Sequence, residues 1–122
     1  MPRVLVVDDE SLIRWSLSEV LAEGGCAVTE ACDGRAAVRA LTAATDLPDV
    51  VLLDYCLPDS NDLALLASIR RLSPSSKVIL MTAYGTEEVI RGALELGAYG
   101  VVNKPFEVHD MTAMIRRAHA SH

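Results

Sequence analysis

Five short apolar runs recur along the chain, each followed by a stretch of helical periodicity. The runs are Val4 to Val7, Ala27 to Ala31, Val50 to Leu53, Val78 to Met81, and Val101 with Val102. Four are apolar without interruption, as strands covered by helices on both faces must be. The second, Ala-Val-Thr-Glu-Ala, carries Thr29 and Glu30 and predicts an edge strand. Leu12, Ile13, Ser16, Leu17, Val20 and Leu21 form one face of a first helix. Leu63, Leu66 and Ile69 mark a third, Val89, Ile90, Ala93 and Leu94 a fourth, and Met111, Met114, Ile115 and Ala118 a last one. Gly24-Gly25 and Gly97 fall where helix C-termini should end. Asp33-Gly34, Pro48-Asp49 and Ser73-Pro74-Ser75 punctuate connections, and Ser60, Asn61 and Asp62 are placed to cap the third helix. Strict β-α alternation predicts an α/β fold of parallel strands joined by right-handed crossovers, with helices on both faces.

Composition narrows this picture. The 122 residues make about one domain, spanning 1–122, and 51% hydrophobic content supplies a core without staples. A net charge of −6 with no basic stripe excludes nucleic acid as a direct ligand, so any DNA contact would come from another domain. Cys26, Cys32 and Cys56 form no CxxC pair and read as reduced thiols, which fits a cytoplasmic protein. No apolar run is long enough to span a membrane. Met-Pro-Arg-Val-Leu-Val-Val leads into a strand rather than a signal peptide.

On that scaffold the polar residues fall in one place. Asp8 and Asp9 follow the first strand, Asp54 the third, Thr82 the fourth and Lys104 the fifth. All five sit at carboxyl ends of strands, where open α/β sheets bind ligands. In a doubly wound, flavodoxin-like sheet of order 2-1-3-4-5, the first and third strands adjoin at the switch point, and the three Asp side chains converge. Converging carboxylates repel one another and ask for a hard cation such as Mg2+. With a cation bound, one carboxylate can attack phosphorus, Lys104 can neutralise the transferring oxygens, and the Thr82 hydroxyl can hydrogen-bond to one. Spacing alone leaves open which carboxylate attacks. A lone Asp after a strand is usually a loop cap, and a lone Thr or Lys there a turn or solvated residue. Five such residues at one edge are a weaker case for coincidence.

The segments Val-Val-Asp8-Asp9-Glu10, Leu-Leu-Asp54-Tyr-Cys-Leu-Pro58, Met-Thr82-Ala83 and Lys104-Pro105-Phe106 resemble the response-regulator receiver signature from end to end. The resemblance implies a (βα)5, CheY-like fold and phosphotransfer from a sensor histidine kinase to Asp54. It further implies Mg2+ held by Asp8, Asp9, Asp54 and the Cys56 backbone carbonyl, with Thr82 and Lys104 sensing the phosphoryl group and a cis Lys104–Pro105 bond. Such a domain is a regulatory phosphoacceptor that promotes its own phosphorylation and dephosphorylation. Ser-Leu-Ile-Arg14-Trp15 and Thr82-Ala-Tyr-Gly-Thr86 are similar to the NtrC class, whose members usually continue into an AAA+ ATPase domain and a DNA-binding domain and regulate transcription. The chain then reads either as the N-terminal part of such a regulator, with homodimerisation on phosphorylation, or as a stand-alone receiver.

Departures from the pattern are local. Many receivers carry an aromatic three positions before the Lys, where this chain has Val101, with Tyr99 nearest as a substitute or a packing residue. Pro58-Asp59-Ser60-Asn61-Asp62 replaces the usual glycines, and Asp59 and Asp62 are expected to start the third helix rather than tune the cation. Cys56 and Tyr84, two residues beyond Asp54 and Thr82, flank the family's route for hydrolytic water. Trp15 is expected in the core or lining a groove, and His109, His119 and His122 in solvent. The expected reader of phosphorylation is the fourth helix and fifth strand, with Tyr84-Gly85-Thr86 as a hinge. Competing classes fit less well. A haloacid-dehalogenase-type phosphatase needs an Asp two residues after its nucleophile, where this chain has Glu10 and Cys56. A nucleotide or flavin binder needs a glycine-rich phosphate loop after the first strand. A phosphorylation-independent interaction module remains the alternative that the absent aromatic keeps open.

Overall fold

The computed structural model describes residues 2–60 and 62–121; Asn61 and His122, named above as a cap and a solvated histidine, lie outside them. Among the described residues ten elements alternate: β1 (Arg3–Val7), α1 (Ser11–Glu23), β2 (Ala27–Ala31), α2 (Gly34–Ala43), β3 (Val50–Asp54), α3 (Ala64–Leu72), β4 (Lys77–Thr82), α4 (Glu87–Glu95), β5 (Gly100–Asn103) and α5 (Val108–Ala120). The strands pair in parallel in the order β2-β1-β3-β4-β5, the doubly wound sheet expected from the alternation. β2 is an edge strand, as its Thr29 and Glu30 required.

Because side chains alternate across a sheet, each inner strand feeds two cores. Leu5, Val7, Val51, Leu53, Val78 and Leu80 pack under α2, α3 and α4 through Ala37, Leu41, Leu66, Ile69 and Ala93. Val4, Val6, Leu52, Ile79 and Met81 meet Leu17 and Leu21 of α1 and Met111, Ile115 and Ala118 of α5. Each fully buried Leu, Ile or Val contributes roughly 1.5–3 kcal/mol of transfer free energy, so β1, β3 and β4 make a stiff platform for the residues at their ends.

Helix boundaries follow local chemistry. Gly25 and Gly97 take φ of 92° and 96°, the left-handed conformation that stops α1 and α4. Asp33 is more than a connection: its carboxylate accepts from the Ala36 N–H at 2.8 Å and caps α2. The third helix departs from expectation. It begins at Ala64, behind Leu63, whose side chain forms no cap. Asp62 accepts from the Ala64 N–H at 2.9 Å, but Ser60 instead pairs with Leu57 through reciprocal backbone bonds of 2.8 and 3.2 Å. That pairing closes a tight turn in the loop after β3. The Lys104–Pro105 bond is cis.

One apolar residue of α1 also departs from expectation. Leu12, placed on the buried face by periodicity, is 73% exposed. Trp15, 59% exposed, takes the second of its two expected placements, lining a shallow groove with Glu19, Phe106 and His109. Leu12 belongs to an adjoining groove of about 710 Å3 with Ile13, Tyr84, Pro105 and Phe106. Leu12 therefore stays open to solvent at the N-terminal end of α1, beside a groove walled by Tyr84, Pro105 and Phe106 and by Val108 of α5.

Candidate functional site

The carboxyl ends of β1 and β3 lie side by side, Val7 opposite Leu53. Asp8 and Asp54 extend those strands by one residue and by none, which brings them together at the switch point. Carboxylate oxygens of Asp8, Asp9 and Asp54 lie within 4.8 Å of one another. Asp8 is fully buried and Asp54 only 5% exposed, whereas Asp9 is open to solvent. Lys104, carried by the loop after β5, reaches across the sheet end. Its Nζ donates to Asp8 Oδ2 at 3.0 Å and lies 3.2 Å from Asp54 Oδ2 and 3.7 Å from Glu10 Oε1. The backbone N–H of Lys104 donates to the Thr82 carbonyl at 2.8 Å, fixing the loop that carries it.

Electrostatics mark this cluster as strained. Burial, and then the adjacent Asp8 carboxylate, push Asp54 up to about 6, against partial relief from Lys104. Burial pulls Lys104 down, but its hydrogen bond to Asp8 and the charges of Asp8 and Asp54 outweigh it and hold the ammonium above its ordinary range. One cation thus serves two buried carboxylates. The donor set is all oxygen, compact and under-neutralised, which fits a hard divalent ion such as Mg2+.

The remaining residues sort by distance from this cluster. Asp54 is opposite Met81 in register, so the buried Thr82 stands one residue further along β4, beside the site. The Tyr84 N–H donates to Thr82 Oγ1 at 3.3 Å, and the Tyr84 ring is 85% exposed. The Cys56 N–H donates to Asp54 Oδ1 at 3.3 Å, while its thiol is exposed. Tyr99 does not substitute for an aromatic at Val101. It precedes β5, its N–H bonded to Val78 O, a full strand length from Thr82, whose partner is Asn103. Val101 pairs with Leu80 and packs into the core under α4. His109 is exposed, and His119 lies 3.9 Å from Asp49 at the opposite end of the strands.

Three residues join the site without a role having been assigned from sequence, and a fourth, in the adjoining loop, takes a role other than the one expected. The Glu10 N–H donates to Asp8 Oδ1 at 3.0 Å. Arg14 donates to the Asp8 carbonyl at 2.7 Å and pairs with Glu30 at 3.1 Å, bracing the first acidic loop from α1. Both stood in the quoted motifs, but only the fold gives their partners. Asn103 packs so closely on Gly85 that a Cβ there would collide with its Oδ1, so the loop ahead of α4 is seated on the end of β5. The fourth is Asp59. Instead of starting α3 it accepts from the Gly34 and Arg35 N–H groups at 2.8 and 3.0 Å, at the N-terminus of α2. These bonds hold its carboxyl below the usual range.

Comparison with known proteins agrees with this geometry. The family described as the response regulator receiver domain matches residues 4–116. The chain is 38% identical over 115 residues to the DNA-binding transcriptional regulator NtrC of Escherichia coli K12, covering 94% of this chain and 24% of that protein. It is 32% identical to sporulation initiation phosphotransferase F of Bacillus subtilis, covering 94% of this chain and 91% of that one. A CheY-like receiver domain structure from Methanospirillum hungatei superposes with a TM-score of 0.90 at 27% identity, covering 98% and 94% of the two chains. The chain therefore spans about a quarter of the NtrC relatives and nearly the whole of the phosphotransferase.

Proposed function

The chain belongs to the response regulator receiver family and is NtrC-like, and from that premise we propose that it is a Mg2+-dependent phosphorylation switch with Asp54 as the acceptor. The observation that carries the proposal is the meeting of Asp8, Asp9 and Asp54 within 4.8 Å, bridged by Lys104. Asp8, Asp9, Asp54 and the Cys56 carbonyl are the residues that would hold the ion. Once bound, Mg2+ supplies charge neutralisation on the transferring phosphoryl oxygens. Asp54, ionised above about pH 6, attacks the phosphorus of a phosphohistidine on a sensor kinase. A P–O bond forms, the P–N bond breaks, the imidazole leaves and takes a proton, and an acyl phosphate results. Lys104 and the Thr82 hydroxyl bond the new phosphoryl oxygens in this reading.

The readout we propose is the α4–β5 surface, reached through Thr82, the Gly85 loop and Lys104. Residues 1–122 form the receiver unit of a longer cytoplasmic regulator, by analogy with NtrC, acting through AAA+ and DNA-binding domains of the same protein and dimerising when phosphorylated. A full reversal of a 1:99 equilibrium needs about 5.5 kcal/mol of differential binding, a scale that several charge-assisted contacts can approach. Amide exchange in a phosphorylated sample is expected to change between residues 82 and 104. An unchanged profile there would remove this surface as the reader.

The deciding experiment is intact mass after incubation with Mg2+ and acetyl phosphate. A gain of one phosphoryl group is expected, abolished by EDTA and by Asp54→Asn. One observation, Val101 with Tyr99 remote from Thr82, favours a second reading, an interaction module that works unphosphorylated. No mass gain, together with no binding of beryllofluoride, would decide for that reading.

A further inference from the structure

We infer that Asp59 is a positioning residue for the cation site, acting by latching the loop after β3 onto the N-terminus of α2. The inference rests on the Mg2+-dependent reading given above and deepens it. The loop leaves β3 at Asp54, passes Cys56, and closes a tight turn between Leu57 and Ser60. Leu57 is 5% exposed and anchors one side of the turn in the core. Asp59 sits at its tip and reaches a helix 25 residues earlier in sequence, where its two oxygens accept separately from Gly34 and Arg35. Both bonds are charge-assisted and meet the positive end of the α2 dipole.

Gly34 makes the approach feasible, because a Cβ there would lie 3.0 Å from Asp59 Oδ1 and 3.1 Å from Leu65. α2 also has its own cap in Asp33, which serves the Ala36 N–H. Asp59 is therefore not needed to supply the first cap of α2; what it adds is a tie between elements. The beneficiary is the loop, whose Cys56 stands next to the turn and whose backbone N–H already bonds Asp54. Groups that fix metal ligands through a second contact typically change metal affinity 10–100-fold when removed. The latch lies on the loop's outer side, three residues beyond Cys56, which places the expected effect at the low end of that range.

The test is calorimetric titration of the intact chain with Mg2+ alone, paired with urea unfolding. Asp59→Ala is expected to weaken Mg2+ binding about tenfold, and Asp59→Asn, which keeps one acceptor oxygen, by less. Asp62→Ala removes an equal charge from the same loop but breaks only a bond to Ala64, and is expected to leave the affinity within about twofold, below the effect reserved for a positioning contact. Equal weakening by Asp62→Ala would overturn the inference in favour of simple charge. So would a loss of stability in Asp59→Ala with unchanged Mg2+ affinity, the mark of a merely structural cap. If Asp59→Ala fails to fold, Asp59→Asn decides on the same criterion. If the unaltered chain binds no Mg2+, the functional reading itself fails and the inference falls with it, an outcome read from the unaltered chain alone.

Discussion

In metal-free buffer at neutral pH, Asp54→Asn is expected to stabilise the fold by on the order of 2–3 kcal/mol, although it removes the residue proposed to carry the function. The reason is the cost of ionising a carboxyl that is 5% exposed and faces Asp8. Its folded-state pKa of about 6 stands above the ordinary 3.8. Between those values the folded protein binds a proton that the unfolded chain has released. Stability from this group is therefore fully present below about pH 4 and is lost as pH rises through about 6. The amide of the variant carries no charge to desolvate, so its advantage should be largest above pH 7 and shrink toward zero near pH 4. Urea unfolding of both proteins across that range, in EDTA, measures the difference directly and cancels the other titrating groups. A variant less stable than the parent at pH 7, or a difference independent of pH, would contradict the argument. Adding Mg2+ should favour the parent, because a ligand that binds only the folded state stabilises it by mass action.

That conflict between stability and charge explains what the sequence could disclose. The strands were legible because each inner run, such as Val50 to Leu53, is buried on both faces and tolerates no polar residue. The meeting of Asp8, Asp9 and Asp54 followed from topology, since residues at the ends of adjacent parallel strands must be neighbours. Lys104 could be placed at the same edge, but its choice of Asp8 over Asp54 as the closer partner depends on a loop path that no spacing rule supplies.

Contacts between loops and distant helices were hidden. Asp59 looked like a helix starter because Asp is common ahead of helices, yet the helix it serves is α2 and not α3. Ser60 was drawn away from capping by the turn with Leu57. Periodicity also misjudged Leu12, because a helical stripe records which face is apolar and not how far the core extends beneath it. The same groove-lining exposure that defeats the core reading leaves an apolar strip beside Phe106, next to the acidic edge. Tyr99 shows the limit of counting along the chain: two residues from Val101, it sits before the strand that Val101 occupies, at the end remote from Thr82.

Removing the other charge should do the opposite of removing Asp54. Lys104→Met is expected to cost about 3 kcal/mol in metal-free buffer at pH 7, within the range for breaking one side of a buried ion pair. Lys104 Nζ lies 3.0 Å from a fully buried Asp8 and 3.2 Å from Asp54, and its side chain is only 14% exposed. A methionine fills similar space, so the loss reflects charge rather than a cavity. With the ammonium gone, Asp8 and Asp54 face each other uncompensated, and the cheapest response is for one of them to take a proton. The deficit should therefore narrow as pH falls through the region where Asp54 titrates. Mg2+ should narrow it too, by occupying the same electrostatic role. The double variant, Lys104→Met with Asp54→Asn, should recover a large part of the loss, because Asp8 then faces no second buried carboxylate. A double-mutant cycle on urea-unfolding free energies reads that recovery as a coupling of more than about 1 kcal/mol between the two positions. Additive effects would mean that Lys104 interacts with Asp8 alone, and that Asp54 waits for its cation without help from the chain.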